Sequence, residues 1–219
     1  MIEQILYDVS EALRVPVLVL ALVALALVLI EAGALLVELR RRRRRSLLGL
    51  ERALEECRGR LGAGQQVEAL AALLPFAWNR RMEDAIAGIV EQCGRPGAEA
   101  RIAKRLAEYD YLSLRRLERT RILVRMGPAL GLMGTLIPLS PALAGLADGD
   151  VATLSENLRV AFSVTVAGLL IGAIAFAISL VRDRLYAQDY SDVEYLAAAL
   201  TAPPANETAV VPSHWAVAP

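Results

Sequence analysis

From Val15 to Leu39 the chain reads VPVLVLALVALALVLIEAGALLVEL, an apolar run in which Glu31 is the only charge before Glu38. A helix rises about 1.5 Å per residue, so this run is long enough to cross a hydrocarbon core of roughly 30 Å. It predicts a transmembrane helix over 15–39. Two more apolar stretches, 123–147 and 158–181, flank a short acidic link at 148–157, which predicts a membrane hairpin. Between the first run and the hairpin, over 40–122, apolar residues take a roughly helical spacing: Leu47, Leu50, Leu54 and Leu61, then Val67, Leu70 and Leu73. Pro75 breaks this series, and a helix over Arg80 to Val90 is expected to stop at Cys93-Gly94-Arg95-Pro96-Gly97. From Ala98 the series Ile102, Leu106, Tyr109, Leu112, Leu117, Ile122 predicts one long helix rising into the second span, reshaped near Gly127-Pro128. Leu185, Tyr190, Val193 and Leu196 extend the third span over 182–200, and the aperiodic, Pro-bearing tail 201–219 is expected to be disordered. The fold class is an all-α membrane protein with three transmembrane helices and a helical insert.

Composition sharpens this pattern. The 219 residues are 56% hydrophobic and 22% charged, with a mean hydropathy of +0.44 and no net charge, and the two classes are segregated along the chain. That argues against a soluble enzyme, a secreted disulfide scaffold and a nucleic-acid-binding module. The first run is too long for a signal-peptide core and follows an acidic start (Glu3, Asp8, Glu11), so it is expected to remain as an anchor. Between Arg40 and Arg125 there are 20 basic against 11 acidic residues, and six arginines, Arg40 to Arg45, abut the first span. Positive charge stays on the cytoplasmic side. Residues 1–14 and 148–157 are therefore expected outside, and 40–122 and the C-terminal tail inside. The run Arg40–Arg45 reads as a topology anchor that touches anionic lipid rather than as a nucleic-acid site. Cys57 and Cys93 form no C-x-x-C and read as packing residues, while His214 stands alone, so no metal site is expected. No phosphate-binding glycine motif occurs, and neither a cofactor nor enzymatic chemistry is expected.

The spans differ in residue size. The first is Leu, Val and Ile, which suits lipid. The second places Gly127, Gly131, Thr135, Pro138, Ala142 and Gly145 on one helix face, and the third does the same with Ala161, Thr165, Gly168, Gly172, Ala175 and Ser179. Two readings stay open. The stripes either pack the hairpin tightly, which small residues allow, or line a shared lumen in which Thr135 and Thr165 are polar points and Pro138 frees a carbonyl. Glu31 is an intramembrane acid and thus a functional candidate by default, set against the alternative that it pairs with a basic group such as Arg182 or is protonated.

Met126-Gly-Pro-Ala-Leu-Gly-Leu-Met-Gly-Thr135 and Ala161-Phe-Ser-Val-Thr-Val-Ala-Gly-Leu-Leu170 resemble the P-x-L-G-L-x-G-T and A-x-x-x-T-x-x-G-L elements of the MotA/TolQ/ExbB proton-channel family. The motifs cover about a quarter of the chain, and the first span and insert match in layout only. The resemblance implies an inner-membrane homopentamer around a dimer of a single-span MotB/TolR/ExbD-like partner that carries an acidic membrane residue. The ion is then H⁺. Thr135 and Thr165 take the places of the family's two motif threonines and would face that carboxylate, with Ser163 and Pro138 beside them. One departure is Val160, where ExbB-like and TolQ-like sequences often have Glu, so that acid's role is not transferred. The competing class is a membrane scaffold or small-solute transport subunit whose hairpin only packs.

Overall fold

The computed structural model describes residues 1–42, 46–147 and 149–202. The tail from 203, with His214, the Arg43–Arg45 part of the basic run and Asp148 lie outside the described residues. Among these the chain is all-helical without a strand, and three helices are long and apolar enough to cross a membrane. In order they are α1 (Ile2–Ala12), α2 (Arg14–Arg42), α3 (Leu47–Gly62), α4 (Gln66–Leu73) with a 3₁₀ turn at Leu74–Phe76, α5 (Arg80–Gln92), α6 (Ala98–Ala147) and α7 (Val151–Thr201).

Local chemistry sets the ends. Ser46 caps α3 by accepting the Gly49 amide at 3.2 Å, and Asn79 caps α5 by accepting that of Met82 at 3.0 Å. Gly94, just past α5, takes φ +76°, the left-handed conformation that ends helices with least strain. The link expected over 148–157 is shorter: α7 already begins at Val151. Asp150 accepts the Thr153 amide at 3.0 Å and the Thr153 hydroxyl, and this cap draws 151–157 into the helix. Residues 2–12 are also helical, with Ile2, Ile5, Val9 and Leu13 on one face and only Leu13 between α1 and α2. Nor is α6 interrupted at Gly127-Pro128; it continues through Pro128, Pro138 and Pro141. Membrane helices tolerate proline because neighbours re-satisfy the freed carbonyls.

The described residues form two compact units. One contains 46–110 and 188–202, with a core in which Leu54, Cys57, Leu73, Ile86, Ile89 and Ile102 meet Val193 and Leu196. The other contains 1–42 and 111–187. In it, Val17, Ala24, Val28 and Leu35 of α2 pack with Leu130 of α6 and Ile171, Ala175 and Ile178 of α7. The first span thus has a buried stripe at helical spacing as well as an outward apolar face that includes Leu20, Leu27 and Ile30.

Polar bonds fasten α2 to α7 at both ends. Arg14 donates to the Asn157 side chain at 2.9 Å, and Arg42 donates to the Leu185 carbonyl at 3.2 Å. Both pairs are 143 residues apart in sequence, so each helix spends the same 28 residues between the two bonds. At 1.5 Å per residue that is about 42 Å.

Candidate functional site

The hairpin of α6 and α7 closes on glycine. A Cβ at Gly127 would lie 2.7 Å from the Gly168 carbonyl oxygen and 2.7 Å from the Gly172 nitrogen, and one at Gly168 would lie 2.6 Å from the Gly127 oxygen. Neither position can accept a side chain unless the backbones separate. One turn along, Gly131 faces Thr165, with 3.3 Å from its Cβ position to the Thr165 carbonyl oxygen, and Gly134 abuts the Val164 side chain. Ala161 is buried as well. The small-residue positions Gly127, Gly131, Ala161, Gly168 and Gly172 therefore all lie in helix packing within the chain, which is what close approach requires. Gly134 belongs to the same seam, and its spacing from Gly127 and Gly131, at i+7 and i+3, carried that signal.

The hydroxyls stand at the edge of this seam. Thr165 is half-buried, and its Oγ1 donates to the Ala161 carbonyl at 3.0 Å with the Gly131 carbonyl at 3.5 Å. Thr135 is also half-buried and donates to the Leu132 carbonyl at 2.7 Å. With the proton engaged by backbone, each oxygen keeps lone pairs to accept from a protonated acid, and rotation lets it donate to an ionised one. Pro138, three residues past Thr135 on α6, is buried. Ser163 is not brought to the seam: it is exposed and donates to the Arg159 carbonyl at 2.8 Å.

The sequence profile of the MotA/TolQ/ExbB proton channel family matches residues 81–194, just over half of the chain. The chain belongs to that family. No individual curated protein matches it. This MotA/TolQ/ExbB protein is a multi-pass membrane protein, and the matched segment takes in α5, the whole hairpin and most of α7 but not α2.

Outside the hairpin seam, this family member gathers charge where α2, α6 and α7 meet. Arg182 of α7 is fully buried. Its Nη1 donates to the Glu31 carboxylate at 2.5 Å and to the Thr120 hydroxyl at 3.0 Å, and its Nε lies 3.7 Å from Glu38. Glu38 is flanked in turn by Arg42 at 3.6 Å and Arg116 at 4.0 Å. Glu31 is thus held by Arg182, the pairing weighed against conduction. Arg42 changes the reading of the basic run. Arg40 and Arg41 are exposed, but Arg42 is turned inward to Glu38 and Leu185 and is not presented to lipid. The sequence pointed to Arg182 as a partner for Glu31, whereas Thr120, Arg116 and the Arg14–Asn157 bond carried no local signal.

The two cysteines, 36 positions apart in the sequence, fall within electrostatic reach in the other unit. Burial first, and then Cys93, pushes the Cys57 thiol up to about 11, against a smaller opposing pull from Arg60. Burial also raises that of Cys93, whose Sγ lies 3.2 Å from the Ile89 carbonyl. Both behave as protonated packing groups.

Proposed function

We propose that this chain is the channel-wall, stator-type subunit of an ion-motive-force-driven motor or energy transducer in the inner membrane. Five copies surround two copies of a single-span MotB/TolR/ExbD-like partner, and protons pass by way of the partner's membrane carboxylate. Residues 1–14 and the turn after α6 lie outside, and 40–122 and the tail lie in the cytoplasm. The supporting observation is the pair of half-buried hydroxyls, Thr135 and Thr165, at the edge of a glycine seam with no room for larger side chains. A carboxyl group crossing a low-dielectric path needs partners in both protonation states, because an unpartnered charge there is costly. Two hydroxyls that can switch between accepting and donating meet that need. Val160 occupies the position of the acid often found in ExbB-like and TolQ-like members, so the proton is carried on the partner rather than handed to this chain. Arg40 and Arg41 hold the span against anionic headgroups.

The experiment is co-expression with a neighbouring single-span protein, followed by mass measurement of the purified complex and proton flux in proteoliposomes. A five-to-two assembly whose flux stops on Thr165→Val supports the reading. An assembly of another stoichiometry without partner supports a scaffold, in which the same seam only packs.

A further inference from the structure

Three membrane helices carry a charge that cannot be switched off. A guanidinium keeps its proton at any ordinary pH, and Arg182 is 0% exposed one residue past the apolar run 158–181, on a helix long and apolar enough to cross a membrane. In such surroundings a charge persists only with a counter-charge close by. Both counter-charges, Glu31 and Glu38, come from α2, which lies outside the family-matched segment, while Thr120 supplies a hydroxyl from α6. Glu31 is itself only 29% exposed in its side chain and depends on the arginine as the arginine depends on it, whereas Glu38, 13% exposed, also has Arg42 and Arg116. The arrangement resists motion. Sliding α7 by one turn, about 5.4 Å, or rotating it away from α2, would bury Arg182 and Glu31 without each other, while Glu38 would keep Arg42 and Arg116.

Thr165 stands 17 residues before Arg182 on the same helix. At 3.6 residues per turn that is about 25 Å along the axis and about 100° around it. One side of α7 is therefore pinned to α2 by charge while the adjacent side presents Thr165 to α6. We propose that Glu31 and Glu38 are positioning residues for ion passage: as fixed counter-charges of Arg182 they set the height and rotation of α7, and so of Thr165. This rests on the reading above that Thr165 faces the ion path. Glu31 does not carry the proton, since its carboxylate is committed to a permanent cation. The first span is a working part of the wall rather than a passive anchor.

The test uses the full chain with its co-expressed partner, reconstituted in proteoliposomes, and compares Glu31→Gln, Arg182→Gln, the double variant Glu31→Gln/Arg182→Gln and Arg182→Lys. Each single Gln variant is expected to lower proton flux about tenfold or more in complexes that still assemble, because the shortest ion pair of the buried cluster is broken. The double variant and Arg182→Lys are expected to recover flux to within about threefold of the parent, with an unchanged pH profile. Melting temperatures should be non-additive, the double variant melting above either single. A double variant that stays inactive while its melting temperature recovers makes Glu31 the proton carrier and overturns the proposal. Single variants with full flux overturn it too, by making the pair purely structural. Should the Gln variants not assemble, Glu31→Asp, whose carboxylate is drawn back from Arg182, is expected to lower flux while Arg182→Lys preserves it; equal and full flux in both overturns the proposal. Thr165→Val in the parent background separates the two failures. Retained flux there refutes the ion-path reading, whereas the melting cycle reports on the charge lock in either case.

Discussion

Gly127 and Gly168 meet backbone to backbone: a Cβ on Gly168 would lie 2.6 Å from the Gly127 carbonyl oxygen, and one on Gly127 would lie 2.7 Å from the Gly168 oxygen. The contact is reciprocal, so neither helix can relieve it by moving a side chain.

Alanine at either position is therefore expected to push α6 and α7 apart. Overpacking of this kind costs about 1–3 kcal/mol, and Gly127→Ala and Gly168→Ala should lower the melting temperature of the detergent-purified protein. Gly33 of α2, whose Cβ would meet nothing within 4 Å, is the control. Gly33→Ala should leave the melting temperature unchanged or raise it, since alanine is the better helix former by about 1 kcal/mol.

Thr165→Val keeps the volume and removes the hydroxyl that donates to Ala161. The seam should survive, because the glycines that form it are untouched. A hydrogen bond to a charged group contributes about 1.5–3 kcal/mol, and each 1.4 kcal/mol is a factor of ten. Proton flux through the reconstituted complex should fall by roughly ten- to a hundredfold, with assembly unchanged by size-exclusion chromatography.

The Cys57 thiol, raised to about 11 by burial and by Cys93, should be nearly silent toward maleimide at pH 8 until the protein is unfolded. The raised value also fixes a sign. The folded state holds this proton more tightly than the unfolded chain does, so the associated stability is present below the ordinary thiol value near 8.5 and is lost as pH climbs toward about 11. Between pH 8 and 10.5 the parent protein should lose more thermal stability than Cys57→Ala does.

Asp150 is held below the usual carboxylate range, first by the Thr153 hydroxyl and then by the Thr153 amide. The cap is thus formed at neutral pH and is lost as pH falls through that depressed value, not at the ordinary carboxylate value. Asp150→Ala should speed amide exchange at Thr153, while Asp150→Ser should largely preserve protection.

The three spans, the helical insert and the break at Pro75 were legible because each writes a periodic or compositional signal into consecutive residues. The glycine stripes were legible too, but two uses for them stayed open, since spacing shows which residues share a face and not what covers it. Contacts between residues far apart in sequence carried no such signal. Nothing near Asn157 announces Arg14, and Thr120 looks like any other polar residue on α6 until Arg182 reaches it. The short turn before α7 was overestimated because Asp150 and Glu156 read as a polar link, whereas the Asp150 cap starts a helix that carries Glu156. Ser163 shares a motif with Thr165, but two residues of helix turn it by about 200° away from the seam.

The equal stretches of α2 and α7 between Arg14–Asn157 and Arg42–Leu185 bear on the lipid as well as on the protein. Two parallel helices bonded at both ends cannot shorten by sliding past one another, and the distance of about 42 Å along them from one bond to the other equals a bilayer counted from headgroup to headgroup. In a thinner membrane the pair must tilt as a unit or the bilayer must stretch to meet it, each at a fraction of a kcal/mol per Å. Acyl-chain length is thus expected to set the inclination of the span that bears Thr165, making hydrophobic thickness a regulator of the wall's geometry.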